Sequence, residues 1–213
     1  MTQWIKRLAF IALVLPMAMC QAQTDEYQAG MHYEVLPQVI RTANPNKIEV
    51  NEVFSYTCGH CFNFEEVLHP WSEKLAADVD FQRTPAVWQP ALEPYARAYY
   101  SAYMLKVLDK VHVPIFEAIH VKRESVRAEQ DFATIFEAQG VDLAKFTKAY
   151  NSFGMTSMVT QAKARVRGYR VQGTPEVIVN GKYRISSRNA GGFEGMLKVA
   201  EFLIEKERAA AAK

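Results

Sequence analysis

Cysteine is scarce in this sequence: three residues in 213, at Cys20, Cys58 and Cys61. So few exclude a small scaffold stapled by disulfides, and an odd number in a chain of this length needs an explanation. An excess of one charge is also lacking. The 25 Lys and Arg stand against 23 Asp and Glu, a formal +2 that gives no electrostatic footing to a nucleic-acid partner. No internal repeat or low-complexity tract appears apart from the Ala-rich tail, and no apolar run reaches the ~20 residues a membrane-spanning helix needs. With 49% hydrophobic and 23% charged residues, what remains is the composition of an ordinary globular protein, which excludes collagen, coiled coil and disorder.

The longest apolar run covers residues 8–19, broken only by Pro16, and follows the cationic pair Lys6-Arg7. Small and polar residues come after it, the layout of a secretory signal peptide. Cleavage after Ala22 puts Cys20 at −3; the weaker alternative, after Cys20, puts Ala18 there. Either cut removes Cys20, and loss of Lys6 and Arg7 leaves basic and acidic residues equal in number. A lipoprotein signal, with Cys20 as the lipidated first residue, is disfavoured because Met19 stands where a small residue is preferred. The expected organisation is a signal peptide over 1–22, a first α/β part over 23–90, a helical insertion over 91–171 and a second α/β part over 172–213.

Strands are expected over 32–36, 48–55 and 79–85, with turn residues at 42–46. From Cys61, the apolar positions Phe64, Leu68, Trp71 and Leu75 recur at helical spacing, with Pro70 expected to kink the helix. Helical patterns follow: one through Tyr95, Ala98, Tyr99, Ala102 and Leu105 to Leu108, then 113–119, 132–138, 143–150 and 156–166, with Gly168 as a stop. Strands return over 176–180 and 183–186 around Asn180-Gly181, a tight-turn pair. A final helix carries Phe193, Met196, Leu197, Ala200, Leu203 and Ile204 on one face. This is an α/β pattern with an all-helical insertion.

Cys58-Gly59-His60-Cys61 sits where the second strand runs into its helix. Two cysteines one helical turn apart can close a disulfide without distorting the backbone. The loop is too small to remove much entropy from the unfolded chain, so a reactive role is favoured over a structural one. Cys61 shares the buried stripe, whereas Cys58 lies at the helix N-terminus, where free N–H groups stabilise a thiolate. Cys58 is therefore the expected nucleophile, with His60 able to add positive charge. Zinc would need four ligands, and no second pair stands at metal spacing. His112, Glu117 and His120 read as a solvated helical surface.

Glu52 shares strand parity with Ile48, Val50 and Phe54 and should point into apolar packing. It either reaches water at the strand end or is a buried carboxylate that relays protons to and from Cys61. Glu65 is a charge near the site or part of a solvated face. A proline opening a strand is ordinary, so the residues alone do not single out Pro175. Lys163, Arg165, Arg167 and Arg170 suit the dipole at a helix C-terminus, with substrate recognition the less favoured reading.

The run Phe54-Ser55-Tyr56-Thr57-Cys58-Gly59-His60-Cys61-Phe62-Asn63-Phe64-Glu65-Glu66, then Gly173-Thr174-Pro175 and Val179-Asn180-Gly181-Lys182-Tyr183, resembles the DsbA family of thiol:disulfide interchange proteins, over essentially the whole chain after the signal peptide. The resemblance implies a thioredoxin fold with an inserted all-helical domain and a cis Pro175 beside the disulfide. It implies that Thr174 offers its backbone to an extended substrate, and it assigns Glu52 and Glu65 to the family's acidic positions. Two departures bear on oxidising strength: the best-known member has Pro at Gly59 and Val at Thr174, and Gly-His between the cysteines also resembles protein disulfide isomerase.

The implied activity is donation of the Cys58–Cys61 disulfide, without a cofactor, to exported proteins that carry free thiols. The implied setting is the periplasm, as a monomer, with a DsbB-type membrane quinone reductase as reoxidant. The alternatives are an isomerase or reductase of the same fold and a chaperone-like binding module.

Overall fold

The computed structural model describes residues 26–211; the signal segment and Cys20 lie outside the described residues. The run Ile48–Phe54 forms β2, the strand between β3 and β4, and it is buried on both faces because helices pack against each of them. It runs parallel to β3 (Val79–Pro85), Ile48 facing Val79 and Phe54 facing Pro85, and antiparallel to β4 (Glu176–Val179). Together with β1 (Glu34–Val35) and β5 (Tyr183–Ser186), these make a sheet of order β1-β5-β4-β2-β3.

Helices α1 (Gly59–Ser72) and α8 (Phe193–Ala211) cover one face, where Val50, Val177 and Ile185 meet Phe64, Leu68, Met196 and Leu203. Between β3 and β4 lie α2 (Glu93–Leu105), α3 (Leu108–His120), α4 (Glu129–Ala138), α5 (Leu143–Tyr150) and α6 (Phe153–Gly168). The end of α6 packs Val166 and Tyr169 on the other sheet face against Val53 and Ile178. Phe116, Phe132, Phe136 and Phe146 form a helical core that Phe54, Tyr56 and Cys61 enter from the sheet side. The CxxC turn thus lies at the seam between sheet and helices.

Several boundaries differ from the periodicity reading. The first long helix stops at Leu105 because Lys106 turns left-handed (φ 57°), so Leu108 opens α3 instead of closing α2. Pro70 lies in the last turn of α1, which stops two residues later at Ser72. Gly168 does end α6, but the left-handed residue is Arg170 (φ 53°); a Cβ on Gly168 would press on Ile40 Cδ1 at 2.8 Å. The expected hairpin forms with Asn180 and Gly181 both at positive φ, and a Cβ on Gly181 would lie 1.9 Å from the Ile40 carbonyl oxygen. The short α7 (Ser187–Ala190) had no sequence signal, being a single capped turn on Ser186.

Candidate active site

Cys58 is the N-cap of α1, in extended backbone (φ −95°, ψ 113°), and its carbonyl receives the Cys61 and Phe62 N–H groups at 3.1 and 3.2 Å. The sulfur of Cys58 is half-buried and donates to the Thr174 carbonyl at 3.2 Å; the Thr174–Pro175 bond is cis. Cys61 is fully buried one turn on, with the Ser55 N–H directed at its sulfur at 3.5 Å. Both are free thiols. The helix terminus therefore presents one sulfur and hides the other.

Their acidities diverge for the same reason. Cys58 falls to about 5: its thiolate accepts a hydrogen bond from the Cys61 thiol and others from the Thr174 side chain and the Cys61 and His60 N–H groups, which outweigh partial burial. Cys61 moves up and out of the ordinary thiol range, through burial first and then through its bond to Cys58 and the nearby Glu52 charge.

Beneath the cysteines lies a buried charge cluster. Glu52 is 0% exposed and accepts from Arg83 Nε at 2.9 Å, while its other oxygen, Oε1, has no partner. The Arg83 Nη2 reaches Glu65 at 3.0 and 3.1 Å. His112 Nε2 lies 3.3 Å from Glu65, and Nδ1 lies 2.7 Å from the Tyr56 hydroxyl. Burial depresses the His112 pKa, which favours a neutral ring; Nε2–H then donates to the carboxylate and Nδ1 accepts from Tyr56. Burial and the neighbouring Glu65 charge push Glu52 up to about 8 despite Arg83. Burial would also raise Glu65, but the hydrogen bond to His112 and the Arg83 charge hold it below its usual value. One arginine serves two carboxylates, and burial favours the protonated form at Glu52 while His112 and Arg83 favour the ionised form at Glu65.

The solvated readings of two residues are overturned. Glu65 is buried against Arg83 and His112, and His112 is 6% exposed. His120 is also no free surface residue: Nε2 meets the Tyr56 carbonyl at 2.8 Å and the ring stacks on Phe62; Glu117 is exposed as expected. Gly59 has room for a side chain, since a Cβ there would lie 3.8 Å from His120. His60 is exposed, and its backbone N–H is what bears on the sulfur.

Arg83, His112 and Tyr56 were missed. Arg83 was findable, because β3 pairs in parallel with β2 and places it opposite Glu52. The contact of His112 with Glu65 is tertiary and leaves no local pattern. Among the described residues no group of His, Cys, Asp and Glu is arranged to hold a metal ion.

A family profile described as a DSBA-like thioredoxin domain matches residues 49–198. The thiol:disulfide interchange protein DsbA of Pseudomonas aeruginosa is 42% identical over 192 residues, 90% of this chain and 91% of that protein. That of Azotobacter vinelandii is 38% identical, covering 87% of this chain and 86% of its own. The crystal structure of Pseudomonas aeruginosa DsbA superposes with a TM-score of 0.85 over 89% of this chain and 98% of that one. DsbA from Xylella fastidiosa gives 0.80 at 34% identity, over 86% and 98%. A matching profile, whole-length relatives and the paired sulfurs beside a cis-proline agree: the chain belongs to the DsbA family of thiol:disulfide oxidoreductases that act in oxidative folding.

Proposed function

We propose that the Cys58–Cys61 disulfide is donated to exported polypeptides through a mixed disulfide on Cys58. The observation that carries this reading is the opposed acidity of the two sulfurs. A thiolate exists only in the reduced form, so everything that stabilises it at Cys58 makes the disulfide a stronger oxidant. Each pH unit between that pKa and the working pH is worth at most about 1.4 kcal/mol, or ~30 mV for two electrons; solvent at the half-exposed sulfur reduces it.

A substrate thiolate attacks Cys58 Sγ, the disulfide breaks, and its electron pair passes to Cys61 Sγ. A buried thiolate at Cys61 is strongly disfavoured, and Glu52, protonated near neutrality, supplies the proton through its unpartnered Oε1. A second substrate thiolate then attacks the substrate sulfur of the mixed disulfide, forming the substrate disulfide and releasing Cys58 as a good leaving thiolate. Two substrate thiols are oxidised and the pair is left reduced. Thr174 and Pro175 border a groove of about 450 Å³, and the Thr174 backbone holds the extended substrate there.

No cofactor takes part. Reoxidation passes the two electrons to a DsbB-type membrane quinone reductase, Glu52 taking back the Cys61 proton. The signal peptide directs the protein to the periplasm, where free-thiol substrates emerge. Replacing Cys58 by Ser tests the reading: peptide oxidation should vanish while the fold is kept, and persisting oxidation would sink it.

A further inference from the structure

The cationic residues near the end of α6 divide in space. Arg165 turns to the buried Glu49, at 3.5 Å, on the sheet side. Lys163, Arg167 and Arg170, spaced i, i+4 and i+7, all line one cavity of about 570 Å³. Across from them the chain after β3 supplies Val87, Trp88, Gln89 and Pro90; the floor is Val166 and Val171. No acidic residue lines the cavity. Lys163 is paired with Glu93 at 3.0 Å, but neither Arg167 nor Arg170 has an ion-pair partner among the described residues. Trp88 is 50% exposed, leaving much of its indole ring open to solvent beside these cations. In a chain of nearly balanced charge, two unpaired guanidiniums facing a half-exposed tryptophan stand apart.

Two short stretches of chain and groove link the cavity lining to the cysteines. Its floor residue Val171 lies three positions before Thr174, whose carbonyl holds Cys58 Sγ, an extended span of at most ~10 Å. On the other wall, Gln89 is shared with a second groove that includes Thr57, the residue before Cys58. An extended substrate pinned by its cysteine at Cys58 thus reaches the cavity with residues about three to five positions along its chain. The groove bordered by Thr174 and Pro175 differs in mixing Glu34 and Glu176 with Arg184 and Arg188, so it selects no single sign of charge.

From these contacts we infer that the cavity is a substrate subsite for acidic residues: it accepts Asp or Glu side chains flanking the reacting cysteine, through Arg167 and Arg170, with Trp88 covering the aliphatic part. Bidentate guanidinium–carboxylate pairing suits such sites, and the cavity volume admits one or two side chains. This subsite rests on the disulfide-donor reading, since it orients the polypeptide that Cys58 oxidises.

The test uses two-cysteine peptides with Asp-Asp or Asn-Asn three and four positions from the first cysteine, placed on either side of it. The protein should oxidise the acidic peptide with a kcat/KM about tenfold above the Asn peptide, equivalent to about 1.4 kcal/mol. The ratio should fall to near one in R167Q/R170Q and in 1 M salt, where exposed charges are screened. A ratio near one in the unmodified protein, or an unchanged ratio in the double variant, overturns the subsite. Arginine-dependent sedimentation with anionic phosphatidylglycerol vesicles and no peptide discrimination would also overturn it, in favour of a membrane contact. Failure to oxidise either peptide would instead remove the disulfide-donor reading, so the two failures are distinct.

Discussion

The chemistry is divided between two cysteines of identical covalent structure. Cys58 accepts hydrogen bonds at a helix terminus, whereas Cys61 is buried; in the proposed mechanism that difference makes one the leaving group and the other the proton acceptor. Rates of alkylation of the reduced protein at Cys58 should titrate with a midpoint of about 5. A midpoint in the ordinary thiol range, near 8.5, would contradict the thiolate argument. Replacing Glu52 by Gln keeps the shape but removes the titrating proton. Turnover should fall several-fold at neutral pH with little loss of stability, and the rate should lose the limb set by a group near 8; an unaltered pH–rate profile would make Glu52 structural. Strand parity made the burial of Glu52 legible, and the partner of Glu52 could have been read from strand pairing. Glu65 and His112 were not legible, because their burial comes from α3 crossing over α1 and not from any periodicity of their own.

At the scale of elements, the sequence patterns located every strand and all the long helices but erred where a single residue's backbone decides a boundary. Lys106 in the left-handed region splits what periodicity reads as one helix, since its side chain gives no sign of the turn. The β4–β5 hairpin shows the opposite case. Asn180-Gly181 marks the turn, and the close approach of Ile40 adds a second demand for glycine that only the fold reveals. Gly181→Ala should therefore lower unfolding stability by about 2 kcal/mol or more, from both the positive φ and the clash, as measured by urea denaturation. An unchanged midpoint would mean that the 40–181 contact can open without cost. The cation cluster of α6 carries the same lesson: sequence spacing groups four residues, and the fold sends Arg165 one way and Arg167 and Arg170 another.

For the whole molecule, thiolate stabilisation links redox state to stability. The folded Cys58 pKa of about 5 lies below that of an unfolded thiol, so the stabilisation of the reduced protein is complete above the unfolded value and lost as pH falls to 5. The small loop closed by the disulfide contributes little in the other direction. At pH 7 the reduced protein should melt above the oxidised one, with the gap narrowing toward pH 5 and widening toward pH 9. Calorimetry showing the oxidised form more stable at pH 7 would exclude the linkage. Disulfide donation is tested by the redox equilibrium of the Cys58–Cys61 pair against glutathione at pH 7. In a buffer poised at about −240 mV the pair should be mostly reduced, because it yields its disulfide readily. A pair that remains mostly oxidised in that buffer would contradict it.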